Sequence, residues 1–258
     1  MSSGSEAMLP SSAERQVVFR FYAELNDFLP VHRRYTPFTH EIALPAAVKD
    51  PIESFGVPHT EIALILINSA PSEFASLVSG GDRVSVFPDF RTLKVNSLCR
   101  LRPPLQETRF VLDTHLGRLA NYLRMLGFDS SYSNQRDDPE LARISRDEER
   151  VLLTRDTGLL KRSAVVYGYF VRATEPREQV REVVRHFDLF SKAAPFMRCI
   201  ACNSMLKTVS KQAVVDRLEP NTREYFDEFQ VCLECDRVYW AGSHYKRMRR
   251  FVAQILAA

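Results

Sequence analysis

The chain has 258 residues, 45% of them hydrophobic and 26% charged, with a formal net charge of +3 at pH 7. That length and apolar content support real cores in one to three domains. No run of about 18 apolar residues is present, so a membrane-spanning helix is excluded, and the charge is too small to argue by itself for a nucleic-acid partner.

Met1 to Ala13 are Ser-rich and lack a basic start followed by an apolar stretch. Residues 1–13 read as a disordered tail rather than a signal peptide, and a cytoplasmic location is the expectation. Residues 14–95 read as a small mixed domain. Arg15 to Tyr22 alternates as a strand does, with Val17, Phe19 and Phe21 on one face. His40 to Leu44 is a second strand, and Val48, Ile52 and Phe55 give Ala47 to Ser54 a helical spacing. Glu61 to Asn68 reads as a continuous apolar strand, Gly80-Gly81-Asp82 as a turn and Arg83 to Phe87 as a last strand. This is the element order of a β-grasp fold. Val57-Pro58-His59-Thr60-Glu61, Asn68 and Gly81-Asp82-Arg83-Val84-Ser85-Val86-Phe87-Pro88 resemble the ubiquitin-like sulfur-carrier group. That group acts through a free C-terminal Gly-Gly, whereas here Pro88-Asp89-Phe90-Arg91 runs on into further sequence. The domain therefore reads as a docking or substrate-guiding module, with a stabilising appendage as the alternative. Residues 96–108, with Pro103-Pro104, read as a linker.

Residues 109–197 read as α/β with a parallel sheet. Arg109-Phe110-Val111-Leu112-Asp113 and Arg150-Val151-Leu152-Leu153-Thr154-Arg155-Asp156 are short, branched, apolar runs that each end on an aspartate and precede a helical pattern. Ligands of open α/β sheets bind at the carboxyl ends of strands, and two carboxylates delivered there suit a hard divalent cation such as Mg²⁺ or Mn²⁺. The bland alternative is that each aspartate only caps the helix after it. Leu116, Leu119, Ala120, Leu123 and Leu126 outline a helix closed by Gly127. Phe128 to Ser131 begins a second strand. Asp138 as N-cap with Pro139 at the first helical position opens the next helix. Asp156 to Lys161 turns into a short helix, Val165 to Val171 is a fourth strand, and Arg177 to Phe187 is an amphipathic helix.

Residues 198–258 carry two CxxC pairs, Cys199/Cys202 and Cys232/Cys235. Four thiolates in two close pairs fit a structural, tetrahedral Zn²⁺ in a ribbon. Two pairs without a thioredoxin-like context speak against a redox role, and a cytosolic chain against disulfides. Cys99 reads as a small buried residue. The basic excess of the chain gathers at the end, in Lys246, Arg247, Arg249 and Arg250. With Tyr239, Trp240, His244 and Tyr245 interleaved, this suits single-stranded RNA, or else it is a solvated helix face.

Phe110 to Asp129, Leu153-Thr154-Arg155-Asp156-Thr157-Gly158-Leu159-Leu160-Lys161, Arg198 to Asn203 and Tyr239-Trp240-Ala241-Gly242-Ser243-His244-Tyr245 together resemble the Mut-seven C-terminal RNase family, a branch of the PIN-like nucleases. Members often carry a ubiquitin-like β-grasp domain in front. The resemblance implies a PIN-like α/β/α domain with a zinc ribbon (residues 198–258, with a basic terminal helix) and metal-dependent RNA hydrolysis. It implies Asp113 as the acid of the first strand and Asp156 as that of the later one. The middle acid is assigned to Asp138, with Asp137 and Glu140 as rivals; Glu175 is a fourth carboxylate or a surface turn. These acids would hold one or two Mg²⁺ or Mn²⁺ ions, about 4 Å apart if there are two. Arg118, Arg155 and Lys161 stand close enough in sequence to neutralise phosphate, although Arg155 suits a structural ion pair equally. Tyr245, Lys246 and Arg247 are further candidate RNA contacts, and His115 is a contact or merely solvated. The expected partners are single-stranded or tRNA-like RNA, and a protein through the β-grasp domain. The competing functions are a non-catalytic RNA-binding adaptor and a factor tied to sulfur transfer.

Overall fold

A computed structural model describes residues 15–89 and 101–257. The expected tail, Cys99 and residues 96–100 of the expected linker lie outside the described residues. The chain packs as two compact units. One comprises Met1–Pro104 with Thr157–Val166, the other Leu105–Asp156 with Tyr167–Ala258.

In the first unit, β1 (Gln16–Phe21), β2 (Phe38–Glu41), β3 (Ala46–Ala47), α1 (Lys49–Ser54), β4 (Leu64–Ile67), β5 (Ala70–Ser72), β6 (Leu77–Val78) and β7 (Arg83–Phe87) follow in order. A five-stranded sheet runs β2-β1-β7-β4-β5. β1 pairs parallel to β7, while the other pairings are antiparallel. First and last strands parallel at the centre, with a helix between them in sequence, is the anticipated β-grasp order. The alternation in β1 does what its pattern implies: Val17, Phe19 and Phe21 enter a core with Ile52, Phe55, Ile65 and Val86. Three boundaries differ from expectation. The helix starts later, at Lys49, because Ala46–Ala47 pair with Leu77–Val78 as strands. The second strand lies earlier, at Phe38–Glu41. The long apolar run splits, because Glu61 N–H donates to Pro58 O and Ile62 N–H to His59 O. These bonds wind His59–Glu61 into a 3₁₀ turn before β4 begins.

The second unit begins with β8 (Phe110–Leu112), α2 (Gly117–Met125), β9 (Ser130–Tyr132), α3 (Asp138–Asp147) and β10 (Val151–Thr154). The chain then forms α4 (Thr157–Leu160), which belongs to the first unit, and returns with β11 (Gly168–Phe170) and α5 (Pro176–His186). The sheet runs β11-β10-β8-β9 and is parallel throughout. Its central strands are buried on both faces, which explains their unbroken apolar sequence. Phe110, Leu112, Val151 and Leu153 face a core shared with α2 and α5, while α3 buries Leu141 and Ile144 outside that cluster. The result is the α/β/α layering that the resemblance implies. A three-stranded antiparallel sheet follows, made of β12 (Leu206–Val209), β13 (Phe229–Cys232) and β14 (Val238–Trp240), with α6 (Pro220–Tyr225) between β12 and β13. The last helix, α7 (Ser243–Leu256), returns Phe251, Val252 and Ile255 to the α/β core.

Gly127 ends α2 at φ +94°, where a Cβ would stand 2.1 Å from Ala194 O. Gly81 has nearly the same φ, +92°, but open space around it. Gly127→Ala is expected to combine left-handed strain with a backbone clash and to cost about 2–4 kcal/mol. Gly81→Ala should cost only the conformational part, about 1–2 kcal/mol. Denaturant unfolding of the two variants, followed by a probe in each unit, measures both.

Candidate active site

The register Val151↔Phe110, Leu152↔Val111, Leu153↔Leu112 brings the carboxyl ends of β8 and β10 side by side. Asp113 N–H donates to Leu153 O at 3.1 Å, extending that ladder to the acid itself. Asp113 is only 8% exposed, so its carboxylate needs partners, and it has them. Oδ1 accepts from Thr114 N–H at 2.6 Å and from the Thr114 hydroxyl at 3.2 Å. Oδ2 accepts from the Thr154 hydroxyl at 2.6 Å. Thr154 Oγ1 in turn accepts from Asp156 N–H at 2.9 Å. One fully buried hydroxyl thus donates to the first acid and holds the backbone of the second. The capping role foreseen as the alternative for Asp113 is present, but it occupies one carboxylate oxygen and leaves the other to Thr154. Sequence reading passed over Thr154; its place as the last residue of a buried strand, two before an acid, was the available signal. The turn after Asp113 is fixed from above by Tyr132, whose hydroxyl donates to Thr114 O at 2.9 Å. A Cβ on Gly117 would meet that hydroxyl at 2.6 Å, so a larger residue there would displace the Tyr132 ring from Thr114.

Helix α3 follows β9, whose carboxyl end lies on the same sheet edge. Asp137, not Asp138, is its N-cap: Asp137 Oδ1 accepts from Glu140 N–H at 2.9 Å. Pro139 accordingly sits one place later than expected. It fits there because every N–H of the first turn lacks a helical partner. Of the rivals, Asp137 caps the helix and Glu140 faces Arg136 at 3.6 Å; Asp138 is half-buried in the first turn. Arg155 Nη1 donates to the carbonyls of Val171, Arg172 and Ala173 at 2.8, 2.6 and 2.8 Å, pinning the loop after β11 through carbonyls rather than an acid. Arg118 is exposed in the first turn of α2, His115 is exposed, and Glu175 is the exposed N-cap residue of α5 without a side-chain cap. Lys161 lies in the first unit, where its ammonium donates to Glu53 O at 2.7 Å.

The four cysteines converge. Their sulfurs lie within 4.8 Å of one another, with Cys199–Cys235 at 3.5 Å and Cys202–Cys232 at 3.3 Å. Tetrahedral zinc with bonds of about 2.3 Å places sulfurs roughly 3.8 Å apart, so the set fits the ion. Each pair sits on the same tight turn. Cys199 N–H donates to Ser204 O and Asn203 N–H to Cys199 O, and Cys232 and Asp236 repeat both bonds with Arg237 and Cys232. Asn203 and Asp236 take positive φ, a conformation their residue types tolerate. Burial raises the thiol pKa at Cys202, Cys232 and Cys235. Bonds with Ser204 override it at Cys202, which falls to about 6, whereas Cys235 stays pushed up to about 12. A cation would remove that conflict by holding all four as thiolates. Tyr239 touches the cluster, its hydroxyl 3.0 Å from Cys199 Sγ.

The first knuckle is bolted to the α/β layer. Arg124 donates to the carbonyls of Ser130, Ile200 and Ala201, and Arg198 to those of Gly127 and Asn203. Asn203 accepts from Ser130 N–H and donates to Asp129, which also takes Arg150 Nη1 at 2.6 Å. Burial alone would raise the Asp129 pKa; the bonds from Arg150 and Asn203 outweigh it and hold the carboxyl below its ordinary value. On α7, Tyr245 packs against Phe196 at 4.7 Å, while Lys246 and Arg247 are exposed, Arg247 beside His244 at 3.2 Å. No helix among the described residues is long and apolar enough to cross a membrane.

A family model described as the Mut7-C RNAse domain matches residues 108–252, more than half of the chain. A second, described as Mut7-C ubiquitin, matches residues 14–94. No curated protein matches, and no solved structure does.

Elemental analysis should find one zinc per chain, and Cys199→Ser or Cys232→Ser should lose it together with much of the ribbon's protection from proteolysis. Asp129→Asn should destabilise the second unit by about 1–3 kcal/mol at pH 7. The folded pKa of Asp129 lies below the unfolded one, so its stabilisation is complete above about pH 4 and lost as pH falls through the folded value. The gap between variant and wild type should therefore narrow in acid, which urea titrations at pH 7 and pH 3 would reveal.

Proposed function

This chain belongs to the Mut7-C RNase-domain family, and on that premise we propose that it is a metal-dependent ribonuclease hydrolysing RNA phosphodiester bonds at Asp113, Asp138 and Asp156. The observation that carries the reading is the Thr154 hydroxyl, which joins two acids at the carboxyl edge of a parallel sheet. Carboxylate oxygens are the donors that a hard cation prefers. Mg²⁺ is commonly held by one or two carboxylates while keeping several waters, so the acids need not form a closed cage. When bound there, such an ion supplies a water of lowered pKa and stabilises the leaving oxygen.

The chain's own residues do the positioning. Thr114 and Thr154 fix both oxygens of Asp113, so the carboxylate arrives already oriented. Thr154 sets the backbone of Asp156, and Arg155 holds the loop after β11 that borders it. Arg118, exposed in the first turn of α2, is the cation best free to meet a phosphate. The exposed Lys246 and Arg247 extend a basic path for single-stranded or tRNA-like RNA. We assign the nuclease work to residues 109–197, RNA holding to the ribbon and helix at 198–258, and protein docking to the ubiquitin-like segment at 14–95. Cysteines gathered for a metal rather than joined as disulfides fit a reducing compartment such as the cytoplasm. The second reading, an RNA-binding adaptor without catalysis, draws on the same basic face.

Cleavage of end-labelled single-stranded RNA and tRNA with Mn²⁺, Mg²⁺ or EDTA separates the two. The nuclease requires cutting that EDTA stops, that Asp156→Asn abolishes, and that Thr154→Val lowers by about 10–100-fold. RNA retained but uncut by the wild type would favour the adaptor, and equal cutting by wild type and Asp156→Asn would point to a contaminant.

A further inference from the structure

Strand β9 is a three-residue edge of the parallel sheet, paired with β8. An edge strand has backbone groups that no neighbouring strand takes up. Ser130 is fully buried, so its N–H and C=O need partners, and side chains supply both. The Ser130 N–H donates to Asn203 Oδ1 at 2.9 Å, and Arg124 Nε donates to Ser130 O at 2.9 Å. Asn203 directly follows Cys202, and its own N–H closes the first CxxC turn on Cys199 O. Nη1 of the same Arg124 donates to the carbonyls of Ile200 and Ala201, between those cysteines, at 3.0 and 2.9 Å. The amino end of β9 is therefore held by groups that engage the cysteine knuckle. Its carboxyl end reaches the acids. Tyr132, opposite Leu112 in the register, donates its hydroxyl to Thr114 O at 2.9 Å. The Thr114 N–H and hydroxyl both donate to Asp113 Oδ1. From Ser130 to Tyr132 is about 7 Å of extended chain. Every residue in this series lies in the second unit.

We propose that β9 is a relay coupling the cysteine cluster to the acid site, with Asn203 and Tyr132 as positioning residues. A cation on the four cysteines fixes the first knuckle, and the knuckle fixes Ser130. Tyr132 then holds the Thr114 turn that orients the Asp113 carboxylate. The inference rests on the nuclease reading of Asp113. Neither Asn203 nor Tyr132 needs to touch RNA or the cation at the acids. Gly117 belongs to the same relay. A Cβ there would meet the Tyr132 hydroxyl at 2.6 Å and push the ring off Thr114, although its φ of −59° suits alanine as well as glycine. Linkage makes the coupling reciprocal: a divalent cation at the acids tightens zinc at the cysteines by the factor by which zinc tightens that cation. The ribbon's metal becomes a condition for the acid site as well as for the ribbon's own fold.

The test uses the full, zinc-loaded chain with Mn²⁺ and Mg²⁺ as probes. Free Mn²⁺ measured by electron paramagnetic resonance gives the affinity of the acid site, and Asp113→Asn identifies the binding that belongs there. Competition with a zinc-selective fluorescent chelator, with and without saturating Mg²⁺, gives the zinc affinity. In the wild type, Mg²⁺ should tighten zinc by about tenfold. Tyr132→Phe removes only a hydroxyl; it should weaken Mn²⁺ by about tenfold at unchanged zinc content and erase the effect of Mg²⁺ on zinc. Asn203→Gly, which takes the φ of +76° at that position without strain, should do the same. The two together should weaken Mn²⁺ no further than either alone, as members of one relay do. Gly117→Ala should match Tyr132→Phe in Mn²⁺ affinity without lowering the melting temperature, since alanine favours the helix. Should Asn203→Gly fail to fold, Tyr132→Phe and the Mg²⁺ effect decide. Zinc affinity indifferent to Mg²⁺ in the wild type would overturn the relay. Variants that melt earlier yet keep wild-type Mn²⁺ affinity would overturn it as well, leaving Asn203 and Tyr132 a purely stabilising role. If Mn²⁺ binding does not depend on Asp113, the nuclease reading falls and this inference with it; a wild type that binds Mn²⁺ through Asp113 and cuts RNA, with unaltered variants, removes the inference alone.

Discussion

The candidate site depends on the single proton of the Thr154 hydroxyl. A hydroxyl has one hydrogen and two lone pairs, and here the hydrogen goes to Asp113 while a lone pair takes the Asp156 N–H. That division works only where β8 and β10 run parallel and in register, with Leu153 opposite Leu112. The register is held by side chains buried on both sheet faces, because a one-residue slip would turn each of them to the wrong layer. Core packing and site geometry are therefore one constraint: what aligns the strands also places the acids.

The same economy governs the first cysteine knuckle. Asp129 immediately precedes β9 and gathers Arg150 and Asn203, while Arg124 from α2 closes the carbonyls of the first CxxC turn. A buried polar cluster of this kind stabilises only when every member is satisfied, and it specifies one arrangement strongly when it is. The ribbon is tied to the α/β layer by directional bonds, and α7 adds an apolar tie through Phe251 and Tyr122. A cation held by the four cysteines would therefore be felt in the α/β layer as well as in the ribbon.

Much of the molecule was legible in its residues. The alternation of Val17, Phe19 and Phe21, the turn at Gly81, the cap at Gly127 and the paired CxxC knuckles each carry a local physical cause, and each stands where that cause puts it. Errors fell where two local signals competed. Asp137 and Asp138 are both good caps, and proline is tolerated at either of the first two helical positions, so the helix start slid by one residue. Within the apolar run from Glu61 to Asn68, hydrophobicity alone could not show that Pro58 would first wind a 3₁₀ turn.

The sequence by itself determined which elements form, which residues bear ligating groups and where the chain turns, because these follow from side-chain chemistry over a few neighbouring positions. Only the tertiary structure decided what those groups face. Arg155 spends its guanidinium on three carbonyls, Lys161 turns to Glu53, Tyr239 meets the cysteines, and an unremarked threonine joins two acids. Each of those pairings spans from 2 to 108 residues. A donor's partner is set by which strand or loop the fold brings within about 3 Å, and at the longer of these separations local sequence cannot encode that distance.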